Sequence, residues 1–331
     1  MVPKTKQQEP LVLTEEQYQR FIAILNEVEN IRRMTPEEKD GIVRGILESP
    51  YIDLTCDWAF KHVFGHHPEL LMMLLNDLLP EKITAIEYDP NEVDRFSAND
   101  KNVIMDVFCH TEDGRRIVVE MQKEDHDGFH ERMLYYGAAR LREQLEVGEK
   151  YEGLCPVYVI CFMDFTLPHK GITVPPGKLI FSYRLMEEQT HEEYGRWLNI
   201  LLCELPRLQE ESLTTLSPQE QWFAVLRNLP NFAEKPAWLD ARFDPLLDLA
   251  RTRGLNDEEQ VKYLRSMVSE KEKDSIARAY LRRGREEAQE EERIKHREDL
   301  LRIAKRLLEK GDSAEEIAIL LELPLEEVQS L

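Results

Sequence analysis

Asp106 and Glu120 are two carboxylates that a tight turn would bring face to face in apolar surroundings. They lie within KNVIMDVFCHTEDGRRIVVEMQ, residues 101–122. The apolar runs Val103 to Cys109 and Ile117 to Met121 flank Glu112, Asp113 and Gly114, which is the pattern of a β-hairpin. With Gly114 in the left-handed conformation the loop has three residues and sets Thr111 opposite Arg115. Counting outward sets Asp106 opposite Glu120, with Gln122 on the same face as Glu120 and opposite Ile104. Like charges directly opposed between apolar strands repel each other and call for compensation. A hard divalent cation supplies it: Mg²⁺ is held by one or two carboxylates with waters and substrate phosphates, an arrangement suited to phosphodiester hydrolysis. An exposed edge pair, or one carboxylate that is neutral or paired with a lysine, accounts for the same residues.

The elements that must position this hairpin can be taken in chain order. Residues 1–50 form a helical N-terminal arm, with start signals at Thr14 with Gln17 and at Thr35, Pro36 and Glu38. The arm carries no chemical motif, and its apolar faces suit it to covering the core or a partner. Asp57 to Leu79 is helical with an interruption near Gly65 and Pro68. Lys61 shares a helix face with Asp57 and is placed to pair with it. His66 and His67 are adjacent, cannot share a helix face, and belong to a loop. Ile83 to Tyr88 is a short strand, followed by a polar loop that holds Asp94, Asp100 and Lys101. Lys101 is either a phosphate contact or a solvated lysine at a strand end. Asp125, His126 and Asp127 form a polar turn after the hairpin.

Phe129 to Val147 has the spacing of a helix whose buried stripe is Leu134, Ala138, Leu141 and Leu145, with Arg132 and Tyr136 on another face. Cys155 to Phe165 is almost wholly apolar, as a central strand covered on both faces would be. Lys178 to Leu185 is a further strand. The fold class is therefore α/β, helices packed on a mixed central sheet. The domains divide as 1–50, an α/β core over 51–188, a helical extension over 189–256 and a charged helical tail over 257–331. Helix starts in the extension are marked by Thr190 with Glu193, Ser217-Pro218 with Glu220, and Asn256 with Glu259. Dense alternating charge follows, centred on RRGREEAQEEERIKHRED, and suggests a solvated helix.

Several of these residues together resemble the recombination-promoting nuclease / putative transposase family of the PD-(D/E)XK nuclease superfamily. The match runs through Asp57-Trp-Ala-Phe60-Lys61-His-Val-Phe64-Gly65, Leu74-Leu75-Asn76-Asp77-Leu78-Leu79, Asp106, and Val119-Glu120-Met121-Gln122. It continues through Arg132-Met-Leu-Tyr135-Tyr136, Gln144-Leu145, Gly148, Tyr151, Leu154 and Pro156-Val157, covering roughly Asp53 to Leu185. The tail, from Ala304 to Gly311 and on through Ser313, Ile317, Leu323 and Val328, also resembles the family's usual ending. The resemblance implies a restriction-endonuclease-like core and a metal-dependent DNA endonuclease. In that reading Asp106, Glu120 and the Met121 carbonyl hold Mg²⁺, with Mn²⁺ as an alternative, and Gln122 positions water or phosphate. Asp57 supports the metal or, on its sequence position alone, caps a helix. Arg132 orients Glu120 or contacts phosphate, unless it pairs locally with Glu131 or Glu143. Lys101 is the candidate stand-in for the superfamily lysine, since Gln122 occupies that lysine's place. Double-stranded DNA is the implied partner, and the helical arms leave homo-oligomerisation open. The competing expectation is a nuclease-like fold that is catalytically weak or inactive and serves as a DNA- or protein-binding module.

Composition bounds these readings. The chain has 331 residues and a formal net charge of −21, which argues against non-specific nucleic-acid binding, because phosphate affinity comes largely from lysine and arginine. A local basic groove is compatible with an acidic remainder. Five cysteines without CxxC spacing read as reduced thiols. The beginning of the chain lacks the apolar segment of a signal peptide, and no run is long enough to span a membrane, so the expected location is cytoplasmic. The tail suggests two short helices. Its last segment, Leu325 to Leu331, is acidic where a DNA-reading helix would be basic, which favours packing or oligomerisation.

Overall fold

A computed structural model describes residues 13–91, 105–208 apart from 147 and 170, 216–269, and parts of 300–328. The hairpin, taken here with its neighbours, sets the sheet. Strands β1 (Ile86–Tyr88), β2 (Val107–Thr111) and β3 (Arg116–Gln122) form an antiparallel meander. Val107 pairs with Val119, Cys109 with Ile117, and His110 with Arg116, and Gly114 turns with φ +83°. That is the register expected from the turn.

A helix, α6 (Phe129–Arg142), carries the chain from β3 across to β4 (Val157–Met163), which lies parallel to it. The sheet then runs to β6 (Leu198–Glu204), parallel to β4, and ends at β5 (Ile180–Arg184), antiparallel to β6. Every residue of β4 is buried. One face of the sheet packs against α6 through Phe108, Val118, Val159 and Leu202. The other face, with Val119, Ile160 and Phe162, joins a larger core built from α1 (Glu15–Glu27), α2 (Glu29–Arg32), α3 (Pro36–Leu47), α4 (Asp57–Phe64), α5 (Pro68–Leu78) and α7 (Pro218–Asn228). The molecule is thus α/β, with helices on both faces of a mixed six-stranded sheet.

The N-terminal helices contribute Phe21, Leu25, Val43 and Leu47 to that core. Capping boxes form at Thr14 with Gln17, Thr35 with Glu38, and Ser217 with Glu220, and Asn256 accepts from the Glu259 backbone. The helix over 257–269 inserts Tyr263, Leu264 and Val268 into the same core. Residues 271–331 form a separate compact unit, in which Ala304, Ile317 and Val328 are buried together.

Three elements differ from expectation. The segment after Glu188 is not helical at first. Glu193 pairs with Arg184 and Arg196 instead of closing a capping box, and Leu198–Glu204 is a strand inserted between β4 and β5. A short apolar run of this kind satisfies helix and strand patterns alike, and the sheet's open edge decides it. Strand β1 starts at Ile86, not Ile83, because Asn76 engages both backbone groups of Ile83. In α6 the buried residues are Phe129, Met133, Gly137 and Arg140, while Leu134 is 51% exposed and Ala138 is exposed. Gly137 explains the rotation. A Cβ there would lie 2.4 Å from Leu198 Cδ1 and 3.1 Å from Val159 Cγ2, so the helix rests on the sheet through its glycine.

Gly137→Val is accordingly expected to overpack this contact and destabilise the protein by about 1–3 kcal/mol, read as a lower midpoint in urea unfolding. Gly41→Val, at a site where an added Cβ meets nothing within 4 Å, serves as the control for the change of helix propensity.

Candidate active site

The hairpin register extends one step past Val107 and Val119 to set Asp106 against Glu120. The Asp106 N–H donates to Glu120 Oε1 at 3.0 Å, and the Met121 N–H donates to Asp106 Oδ2 at 2.9 Å. Asp106 therefore ends the β2–β3 ladder with its side chain, taking over a backbone donor. In a strand the N–H and C=O of one residue address the same neighbour, which leaves the Met121 carbonyl on the edge that Asp106 occupies. Glu120 is 2% exposed, and the Asp106 side chain 13%.

Both carboxyls have raised pKa values. Burial is the first cause in each case. For Glu120 the charge of Asp106 comes next, while Asp106 is held down partly by the Lys61 ammonium and the Met121 N–H. The Asp57 carboxyl adds to the rise at Asp106. Desolvation and like-charge crowding thus act together on Asp106 and Glu120 at the end of the ladder.

Two cations answer them from opposite layers. Lys61, one turn after Asp57 on α4, places Nζ 2.5 Å from Asp57 Oδ1 and 3.3 Å from Asp106 Oδ1. Burial opposes its charge, yet Asp106 and Asp57 outweigh that and its pKa is raised. From α6, Arg132 Nη2 donates to Gln122 Oε1, and Gln122 Nε2 donates to Glu120 Oε2 at 3.2 Å. Arg132 thereby orients Glu120 through Gln122, and Glu143, its alternative partner in the sequence, binds Arg140 instead. The Arg132 Nε–H is buried without a partner among the described residues. Tyr136, one turn on, is pushed up to about 12 by burial and by Glu120, so its phenol stays protonated beside the pair.

Of the residues expected here, Asp57, Asp106, Glu120, Met121, Gln122 and Arg132 converge. Asp57 is the first helical residue of α4, with Cys56 at the cap position and no side-chain cap bond. Lys101 lies outside the described residues, as do Asp94, Asp100 and Ile104. Asp125, His126 and Asp127 are exposed. Lys61 is the residue whose reach the sequence understated: its four-residue spacing from Asp57 signals that pair, but nothing local signals Asp106.

Among the described residues no three His, Cys, Asp or Glu side chains are grouped to hold a metal ion. Two carboxylates and a carbonyl suffice for Mg²⁺, which retains waters and takes substrate oxygens for the rest. The Asp106 and Glu120 carboxylates and the Met121 carbonyl are hard oxygen donors that fit this, and the crowding of the two carboxylates favours a bound cation.

A family model described as PD-(D/E)XK nuclease family transposase matches residues 54–279, about two thirds of the chain. The chain belongs to that family. Its matched span takes in every element that builds the site, from Asp57 on α4 to Arg132 on α6. Membership in this nuclease family supports a nuclease-like or transposase role acting on DNA, and PD-(D/E)XK nucleases as a class use divalent metal ions. No curated protein and no solved structure is significantly similar to the chain. Among the described residues no helix is long and apolar enough to cross a membrane.

The raised carboxyl pKa values set a pH dependence. A carboxyl whose folded pKa exceeds its unfolded value is protonated in the native state where the unfolded chain is already ionised, so stability falls as pH rises through that interval. In EDTA the melting temperature should therefore decline from about pH 4, the ordinary carboxylate range, into the neutral range. Glu120→Gln should flatten the decline and raise the melting temperature at neutral pH by about 3 °C, the shift that ~1 kcal/mol produces in a domain of this size.

Proposed function

We propose that the protein is a metal-dependent endonuclease that hydrolyses phosphodiester bonds in double-stranded DNA, acts in the cytoplasm, and serves recombination or mobile elements. The buried, opposed pair Asp106 and Glu120, crowded by Asp57 and answered by cations from both layers, carries this reading. Mg²⁺, or Mn²⁺ in its place, when bound lowers the pKa of water and offsets charge on the phosphate. Asp106, Glu120 and the Met121 carbonyl hold it, and Asp57 supports it. Gln122 and Arg132 keep Glu120 in one rotamer, so that little reorganisation accompanies substrate binding. The Nε–H of Arg132, without a partner among the described residues, is a donor suited to a phosphate oxygen.

Gln122 cannot supply the positive charge that the superfamily lysine brings to this position. Lys61 can. Its ammonium reaches Asp106 from α4, close enough to steady charge developing on a non-bridging phosphate oxygen, and it is itself held by two carboxylates. Lys101 remains a candidate phosphate contact by its place in the sequence.

One observation favours a second reading. Lys61 already pairs with both Asp57 and Asp106 without any metal, and the chain is strongly acidic; a nuclease-like fold kept as a binding module would look the same. Calorimetry with Mg²⁺ and Mn²⁺ separates the two, since a binding module of this kind takes up neither ion.

Supercoiled plasmid incubated with the purified protein and Mg²⁺ or Mn²⁺ at low salt is expected to be nicked, and EDTA to prevent it. Asp106→Asn and Glu120→Gln should each abolish nicking. Lys61→Met should lower the cleavage rate by about 10²–10³, the scale of a lost charge-stabilising donor, while metal binding persists. Nicking that survives Asp106→Asn would sink the assignment.

A further inference from the structure

Helix α4 carries a second feature beside the carboxylates. Trp58 and His62, four residues apart, stack with ring centroids 4.6 Å apart and planes 17° from parallel. They form the floor of a groove of about 440 Å³, in the size range of small-ligand sites, whose other side is the helix over 257–269 with Glu259 and Lys262. Lys61, His66 and His67 complete its wall. Lys61 is the same ammonium that lies 3.3 Å from Asp106, so the groove and the carboxylate pair share one side chain.

The chemistry of the groove runs against that of the whole chain. In a molecule of net charge −21, this groove collects two lysines, histidine donors and an indole. Its carboxylate, Glu259, accepts the Asn256 N–H as part of a helix cap. Lys262 is exposed and, among the described residues, forms no ion pair. The histidines do not converge on a metal. An aromatic surface bordered by ammonium groups is the combination that binds single-stranded nucleic acid: bases stack on the ring and phosphates meet the cations. A duplex keeps its bases stacked within the helix and cannot use an indole in this way.

We propose that the groove between α4 and the helix over 257–269 binds an unpaired nucleic-acid strand, one base against the Trp58–His62 ring pair and the backbone along Lys262 and Lys61. The proposal rests on the nuclease reading of the adjoining carboxylates and sharpens it. The strand entering the site is frayed, flapped or melted next to the phosphate that is cut.

The test uses the full chain in EDTA at low salt, so that binding is measured without cleavage. Labelled oligothymidylate and a duplex of equal length are titrated by anisotropy, with tryptophan emission followed in parallel. The single strand is expected to bind more tightly than the duplex and to quench the emission. Trp58→Leu should abolish most of that quenching and weaken single-strand binding about tenfold, within the range of one stacked base. Lys262→Ala, at an exposed position, should weaken it and reduce the salt slope by about 1. If Trp58→Leu fails to fold, Lys262→Ala together with His66→Ala decides the matter alone. Equal binding of duplex and single strand, or wild-type affinity in the Lys262→Ala and His66→Ala variants, overturns the groove. Plasmid that is never cut while this binding pattern holds refutes the hydrolytic reading only. Metal-dependent nicking with oligonucleotide binding untouched by the variants refutes the groove only.

Discussion

The structure turns on a repulsion. Asp106 and Glu120 are opposed across the last rung of an antiparallel ladder, and burial keeps water from separating their charges. Nothing in an apolar sheet tolerates such a pair unaided. The surrounding elements each offset part of the cost. The Met121 N–H turns from strand pairing to the Asp106 carboxylate, Lys61 reaches in from α4, and Arg132 steadies Glu120 through Gln122 from α6. Two helices on opposite faces of the sheet are thereby committed to one point at its end, where β2 begins and β3 stops.

Charge is distributed in keeping with this. The chain as a whole is acidic enough to repel polyanions at long range. Its cations near the site are held at short range, Lys61 between two carboxylates and Lys123 against Asp53. Binding of a phosphate backbone under these conditions depends on local geometry more than on attraction at a distance, and salt screens what long-range repulsion there is.

The hairpin was legible because its side chains alternate with a period of two and Gly114 admits the positive φ that the loop demands. Once those are given, the pairing of Asp106 with Glu120 follows by counting. The β4 strand and the capping boxes were equally local signals. By contrast, Leu198–Glu204 carries helix and strand patterns at once, and only its place beside β4 resolves them. The buried stripe of α6 was displaced because Gly137 scores as neither apolar nor large, whereas its lack of a side chain is what lets the helix approach Leu198 and Val159.

The sequence by itself determined the family, the α/β class and the opposed carboxylates, since these depend on residue order and on spacings within about twenty positions. Tertiary structure alone decided which cation meets them. Lys61 stands 45 positions before Asp106 and on another layer, and its four-residue spacing from Asp57 describes only the neighbour on its own helix. The same is true of the Trp58 groove, whose two walls come from helices about two hundred residues apart. Periodicity records which face a residue occupies; it is the packing of helices over the end of the sheet that settles what that face meets.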